Sequence, residues 1–355
     1  MNLIFQGLPD FVLTREGGRN PPTVANHYAA KIVVSRLKAL EILNMAVMNV
    51  QKPTGQRGFA LVDAIAVIGV AGILAGAIAT TKPGPLASAR QSARQLKDST
   101  QLRAILQSCV IWATNNKDLY PLPSVLDVQN LTVKDVGKAK DHTANIFSIL
   151  IWNGSIAPEL TISPLENNKR IAVFEKYQFS MPSAAVEPKV ALWDPAFSAD
   201  FTVKDSKGNV SYAHLQPSGG RLARWINSFN AEEAILSSRG PEITAVKVHN
   251  EISATPTYAN ADSNTFKFFA PSGTWSGNVA FNDSHVDFIK DHFKPGAKVE
   301  TDAFYTVKDK DTGKDKKLPD MSFFDEPDDA ASVNNFLGIF TKAGAKPADF
   351  KSIWD

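Results

Sequence analysis

From Phe59 to Ala79 the chain reads FALVDAIAVIGVAGILAGAIA, with Asp63 as its one charged residue. A helix rises 1.5 Å per residue and needs roughly 20 apolar residues to cross the hydrocarbon core of a membrane. The run meets that length, so a transmembrane helix is expected over residues 59–81. A soluble buried helix of such even apolarity would be unusual here. Hydrophobic residues make up 44% of the 355-residue chain and charged residues 21%, the ordinary balance of a chain that buries a core. The constraint is therefore local: one segment belongs in lipid, and the long remainder must fold beside it.

The glycines inside the run invite a second reading, a strand entering a dinucleotide-binding loop. Gly69, Gly72 and Gly76 are spaced Gly-x-x-Gly-x-x-x-Gly rather than Gly-x-Gly-x-x-Gly. The apolar run also continues past them, where a soluble helix would acquire a polar face. Gly72 and Gly76, four apart, instead permit close approach of helices in lipid.

Charge and cysteine usage exclude other classes. The 38 basic residues nearly balance 36 acidic ones, for a net charge of +2, and no basic cluster marks a nucleic-acid face. The single cysteine, Cys109, allows neither an intrachain disulfide framework nor a cysteine-rich metal site.

Around the apolar run the chain divides into four parts. Residues 1–58 read as a leader or cytoplasmic extension. Met48 is an alternative start, which would leave the short basic leader MNVQKPTGQRG with Lys52 and Arg57. A basic stretch before an apolar helix is retained in the cytoplasm. Lys82-Pro83-Gly84-Pro85 then kinks or breaks the helix. Residues 82–119 are expected to continue it as an amphipathic half, because Ala89, Ala93, Leu96, Leu102, Ile105, Leu106, Cys109 and Ala113 recur at three- and four-residue steps. Residues 120–355 carry short β-prone runs between turn residues and form a β-rich head. These runs are 170–174, 190–193, 201–203, 210–214, 265–269, 278–281 and 285–289, with helices expected at 144–152 and 231–237. Two segments echo each other, Phe201 to Gly208 (FTVKDSKG) and Tyr305 to Gly313 (YTVKDKDTG). Each reads as a strand running into a polar turn. The expected fold class is α+β: a long N-terminal helix, transmembrane and then amphipathic, packed on an antiparallel sheet.

At Gly58-Phe59-Ala60-Leu61-Val62-Asp63 the sequence resembles the processing motif of type IV pilin-like proteins, in which a glycine precedes Phe-Thr-Leu-Ile-Glu and an apolar helix. The resemblance implies that a prepilin peptidase cuts after Gly58 and methylates Phe59. It also implies that Asp63, in the place of the family's glutamate, pairs with the terminal amine of a neighbouring subunit. A lone carboxylate in hydrocarbon does need such a partner. A second match lies downstream. Asn278-Val279-Ala280-Phe281-Asn282-Asp283-Ser284-His285-Val286 resembles a signature of bacterial pilin-like proteins, a histidine, nine residues and Asp-Gly, often followed by His-Val. Gly273 stands where the histidine would be, and Ser284 replaces the glycine. The stretch from Leu96 to Pro123 also matches, through Gln101-Leu102-Arg103 and Asn115-Asn116-Lys117-Asp118-Leu119-Tyr120-Pro121.

Two clusters in the head carry metal-ligating residue types. Asp283, His285 and Asp287 alternate, and His285 and Asp287 would share a face of a strand; equally, Asn282-Asp283-Ser284 reads as the turn of a hairpin. Asp309, Asp311 and Asp315 offer oxygens at alternate positions as calcium loops do, but without the Asp-Gly of such loops and with lysines between them. Secretion-type relatives in the resembled family bind calcium near this end, so calcium is the one cofactor the sequence suggests. No Gly-x-Ser-x-Gly or His-Glu-x-x-His appears, and no enzymatic activity is expected.

The resemblance implies a structural subunit of a pilus or secretion pseudopilus, held in the bacterial inner membrane before assembly with its head in the periplasm or outside. Its partners would be further pilin-like subunits, the prepilin peptidase, membrane lipid and the assembly machinery. The alternative is a membrane-anchored binding module or enzyme that does not polymerise.

Overall fold

The computed structural model describes residues 85–269, 274–293, 298–300, 304–309, 311–326, 329 and 331–355. Gly58, Phe59, Asp63, Gly72, Gly76 and Gly273 lie outside them.

The first element is a 30-residue helix, α1 (Pro85–Thr114). Proline is tolerated in a first turn, where its missing N–H has no intrahelical partner to lose. From Asp98 on, α1 is one-sided: Asp98, Gln101, Leu102, Ile105, Leu106, Ser108, Cys109 and Ala113 are buried. Between them stand exposed Arg103, Gln107 and Ile111. Each fully buried Leu or Ile contributes about 1.5–3 kcal/mol relative to exposure, so this stripe binds the helix to what lies beneath it. The earlier turns differ. Ala89 and Ala93 are exposed and Leu96 is 70% exposed, so the buried face does not extend to the helix start as the periodicity suggests. A single turn, α2 (Pro123–Leu126), and the buried helix α3 (Thr143–Trp152) follow.

Among the described residues eleven strands make three antiparallel sheets. The largest is ordered β11-β10-β1-β2-β5-β6, from β1 (Tyr212–Leu215), β2 (Ala234–Ser238), β5 (Trp275–Phe281), β6 (Val286–Phe293), β10 (Leu337–Lys342) and β11 (Lys351–Ile353). A three-stranded sheet joins β3 (Ile243–Asn250), β4 (Ser253–Tyr258) and β7 (Val299–Glu300), and a hairpin pairs β8 (Phe304–Lys308) with β9 (Asp315–Pro319). Tyr212 and His214, two apart on β1, face the same way. Tyr212 reaches Asp98 of α1 and His214 reaches Thr143 of α3. The two helices therefore cover one face of the large sheet, α1 over β2, β5 and β6 and α3 over β10.

This arrangement corrects the expected α+β class. The described residues are mostly antiparallel sheet and irregular chain, and among them no helix is long and apolar enough to cross a membrane. α1 carries Arg90, Arg94, Lys97 and Arg103 on its solvent side, and the transmembrane helix expected at 59–81 lies outside the described residues. Residues 231–237, expected as a helix, instead run into strand β2, which lies between β1 and β5. Partners on both sides override a local helix preference. Residues 265–269 lie largely in a short 3-10 turn (Asn264–Lys267), and residues 201–203 form no strand.

The two echoing segments fold differently. The second is a regular hairpin: β8, a tight turn with Gly313 at φ 66°, and β9, with Lys308 opposite Asp315. The first is a bent loop clipped to the neighbouring chain by Arg170, whose Nη2 donates to the carbonyls of Thr202 (2.8 Å) and Val203 (2.7 Å).

Candidate functional site

The β5–β6 hairpin carries the downstream motif; Asn278 stands on β5 and Asn282 in the turn just past its end, and the side chains of both reach toward the same face. That face looks toward α1 and the chain that follows it. Asn278 Nδ2 donates to Asp98 Oδ2 at 2.6 Å and to the Gln95 carbonyl at 3.4 Å. Asn282 Oδ1 accepts from the Tyr120 hydroxyl, and its Nδ2 donates to Glu233 Oε2 at 2.9 Å. The two stretches that carry the downstream resemblance, some 160–180 residues apart in sequence, thus interlock side chain to side chain.

Asp98 is the centre of the seam. Its Oδ1 accepts from Ser163 Oγ and from the Tyr212 hydroxyl at 2.9 Å; its Oδ2 accepts from Ser238 Oγ at 3.0 Å as well as from Asn278. The side chain is fully buried among neutral donors drawn from β1, β2, β5 and the 163 loop. Burial pushes its carboxyl above the usual range, against the opposing pull of these four hydrogen bonds. No motif marks Asp98, yet the sequence carries a signal for it. It stands four before Leu102 and seven before Ile105, a charge inside an apolar stripe.

Other buried polar groups are partnered to differing degrees, and Asp320 Oδ1 has no hydrogen-bond partner. Asp320 is buried, accepts the Asn335 N–H at 2.7 Å, and is raised to about 6, chiefly by desolvation. Arg239 chelates Glu166 through Nε (2.9 Å) and Nη2 (2.7 Å) and meets Asp355 at 2.8 Å. His214 donates from Nδ1 to the Leu215 carbonyl (2.8 Å) and accepts the Thr143 hydroxyl at Nε2 (2.8 Å), while Thr143 Oγ1 accepts the Phe340 N–H. Burial lowers His214 to about 4, so the ring is neutral. Thr143 and His214 are sealed from solvent with their hydrogen bonds complete, an arrangement that fixes α3 and presents no nucleophile.

The tip of the hairpin is chemically different. Asp283 Oδ1 accepts the His285 N–H at 3.0 Å and contacts His285 Nδ1, while His285 Nε2 lies 3.6 Å from Asp287 Oδ2. The imidazole stacks flat on Phe281, centroids 4.4 Å apart. The His285 N–H is the main cause of a lowered Asp283 carboxyl. Ser284 has φ 71°, the left-handed region that glycine adopts without a Cβ penalty. A serine therefore holds a backbone position that would cost glycine nothing.

The aspartates at 309, 311 and 315 sit at the β8–β9 turn. Asp309 Oδ1 accepts from Asp311 N (3.1 Å), Thr312 N (2.8 Å) and Thr312 Oγ1 (2.8 Å), and Asp315 pairs with Lys308 at 2.5 Å. The Thr312 N–H is the main cause of a lowered Asp309 carboxyl. Two of the three carboxylates are spent on the hairpin itself. Among the described residues no group of three His, Cys, Asp or Glu side chains converges to hold a metal.

No protein-family model, no curated protein and no solved structure matches the chain.

Proposed function

We propose that the chain is a structural subunit of a pilin-like filament, processed after Gly58, methylated at Phe59 and assembled through the apolar run Phe59–Ala79 with Asp63 paired to a neighbour's terminal amine. The observation that carries this reading is the interlock of Asp98 and Tyr120 with Asn278 and Asn282, which joins the separate motif stretches in one seam. A filament subunit is loaded through its N-terminal segment, and the load must reach the head without unzipping the junction. A helix fastened by an apolar stripe and four buried hydrogen bonds to one carboxylate meets that need.

Mass spectrometry of the mature protein from cells with an active prepilin peptidase tests the processing. Methylated Phe59 at the amino terminus is the expected outcome; an intact leader overturns it. Replacing Asp63 with alanine is expected to abolish filaments while cleavage continues, and normal filaments from that variant would remove the pairing. A cleaved protein that never polymerises would favour the membrane-anchored binding module instead.

A further inference from the structure

Beyond the filament reading, the Arg170-clipped loop forms one wall of an open pocket of about 580 Å³ lined by Lys169, Arg170, Lys204 and Lys207 with Thr202, Ser206 and one carboxylate, Asp205. Among the described residues none of these four cations is in an ion pair. The acids at the site offset them only in part, one lining carboxylate against four cations. Asp200 spends Oδ1 on the N–H and hydroxyl of Thr202 at 2.7 and 2.6 Å, and Asp205, at φ 63° in the turn, makes no salt bridge.

The echoing hairpin supplies an internal comparison. It shares the Thr-Val-Lys-Asp core, but its Lys308 is neutralised by Asp315 at 2.5 Å across the strand pair. In the loop copy the chain bends before any such partner can face Lys204. Arg170 Nη2 holds that bend through two backbone carbonyls, and its Nε and Nη1 have no protein partner among the described residues.

We propose that this pocket binds a small phosphate-bearing anion. Three ammonium groups supply point charges and many donors, and Arg170 adds the N–H groups of Nε and Nη1, its Nη2 being held by the two carbonyls. The lining offers no aromatic or large aliphatic side chain, so the ligand is held by charge and hydrogen bonds. The volume accommodates a phosphate ester of sugar or glycerol size. Such a phosphate is carried either by a free small molecule or by a lipid headgroup.

Calorimetric titration of the full-length, detergent-solubilised protein with inorganic phosphate and with glycerol 3-phosphate separates the free source from flotation with phosphatidylglycerol vesicles. The paired substitution Lys204→Gln with Lys207→Gln tests the pocket, and Lys308→Gln, on the echoing hairpin, is the control. Saturable binding of a phosphate ester that weakens at least tenfold in the pair, stays unchanged in the control and falls with added salt is the expected result. Vesicle binding alone, with the same dependence on the pair, assigns the phosphate to a lipid. No saturable binding of any probe, or equal loss in control and pair, overturns the proposal. Both variants alter exposed side chains, and an unchanged melting temperature verifies that folding is intact.

Discussion

The two ends of the β5–β6 hairpin use the same residue types to opposite effect. At the inner end Asn278 meets Asp98 in a site without solvent, where burial raises the carboxyl and every donor counts. At the tip Asp283 meets His285 with both side chains about one-third exposed, and hydrogen bonding lowers the carboxyl. An aspartate in a motif is therefore no guide to its worth. The dielectric around it decides whether it locks an architecture or caps a turn.

The strongest way to break the contrast is Asp98→Ala. It strands Asn278 Nδ2 and the Tyr212 hydroxyl inside the seam, each at about 1–3 kcal/mol. A loss of at least about 3 kcal/mol in urea unfolding is expected, and a loss under 1 kcal/mol would mean the seam relaxes to satisfy itself. The buried sign can next be read as a pH effect at Asp320. Its folded value of about 6 lies above its ordinary 3.8. Its contribution is therefore fully present below about pH 4 and lost as pH rises through about 6. Asp320→Asn removes this titration, so wild-type stability relative to the variant should fall by about 2–3 kcal/mol between pH 4 and 7. Parallel unfolding curves would contradict it.

At the tip the effects shrink and one reverses. Ser284→Gly relieves a left-handed serine and should raise stability by up to about 1 kcal/mol, read as a higher urea midpoint at unchanged slope. His285→Ala removes a stacked, partly solvated ring and should cost no more than about 0.5 kcal/mol at pH 7. A cost near that of Asp98→Ala would erase the distinction between the two ends.

Some of this was readable in the sequence. The three- and four-residue recurrence from Leu102 to Ala113 fixed the packed face of α1, because burial on a helix leaves that period. The same recurrence misled at Ala89, Ala93 and Leu96, whose small or lone apolar side chains carry the period yet stay exposed. Residues 231–237 misled because their helix-forming composition says nothing about the two strands that enclose them. The echo was visible, but its two outcomes were not: an arginine elsewhere in the chain bends one copy, and strand pairing straightens the other. Asn278, Asp283 and His285 read as one motif in the sequence. That the first belongs to the interior and the others to the surface depends on where the hairpin ends relative to α1, which no single-strand pattern encodes.

Cys109 gives the seam a reporter of its own. The chain's one thiol lies on the buried face of α1, three turns beyond Asp98, and burial pushes it up to about 12. A thiolate-seeking reagent can reach it only when the helix lifts. The labelling rate of the unmodified protein therefore times how often α1 leaves the sheet, and pulling on the N-terminal segment should quicken that clock if the seam is where force enters the head.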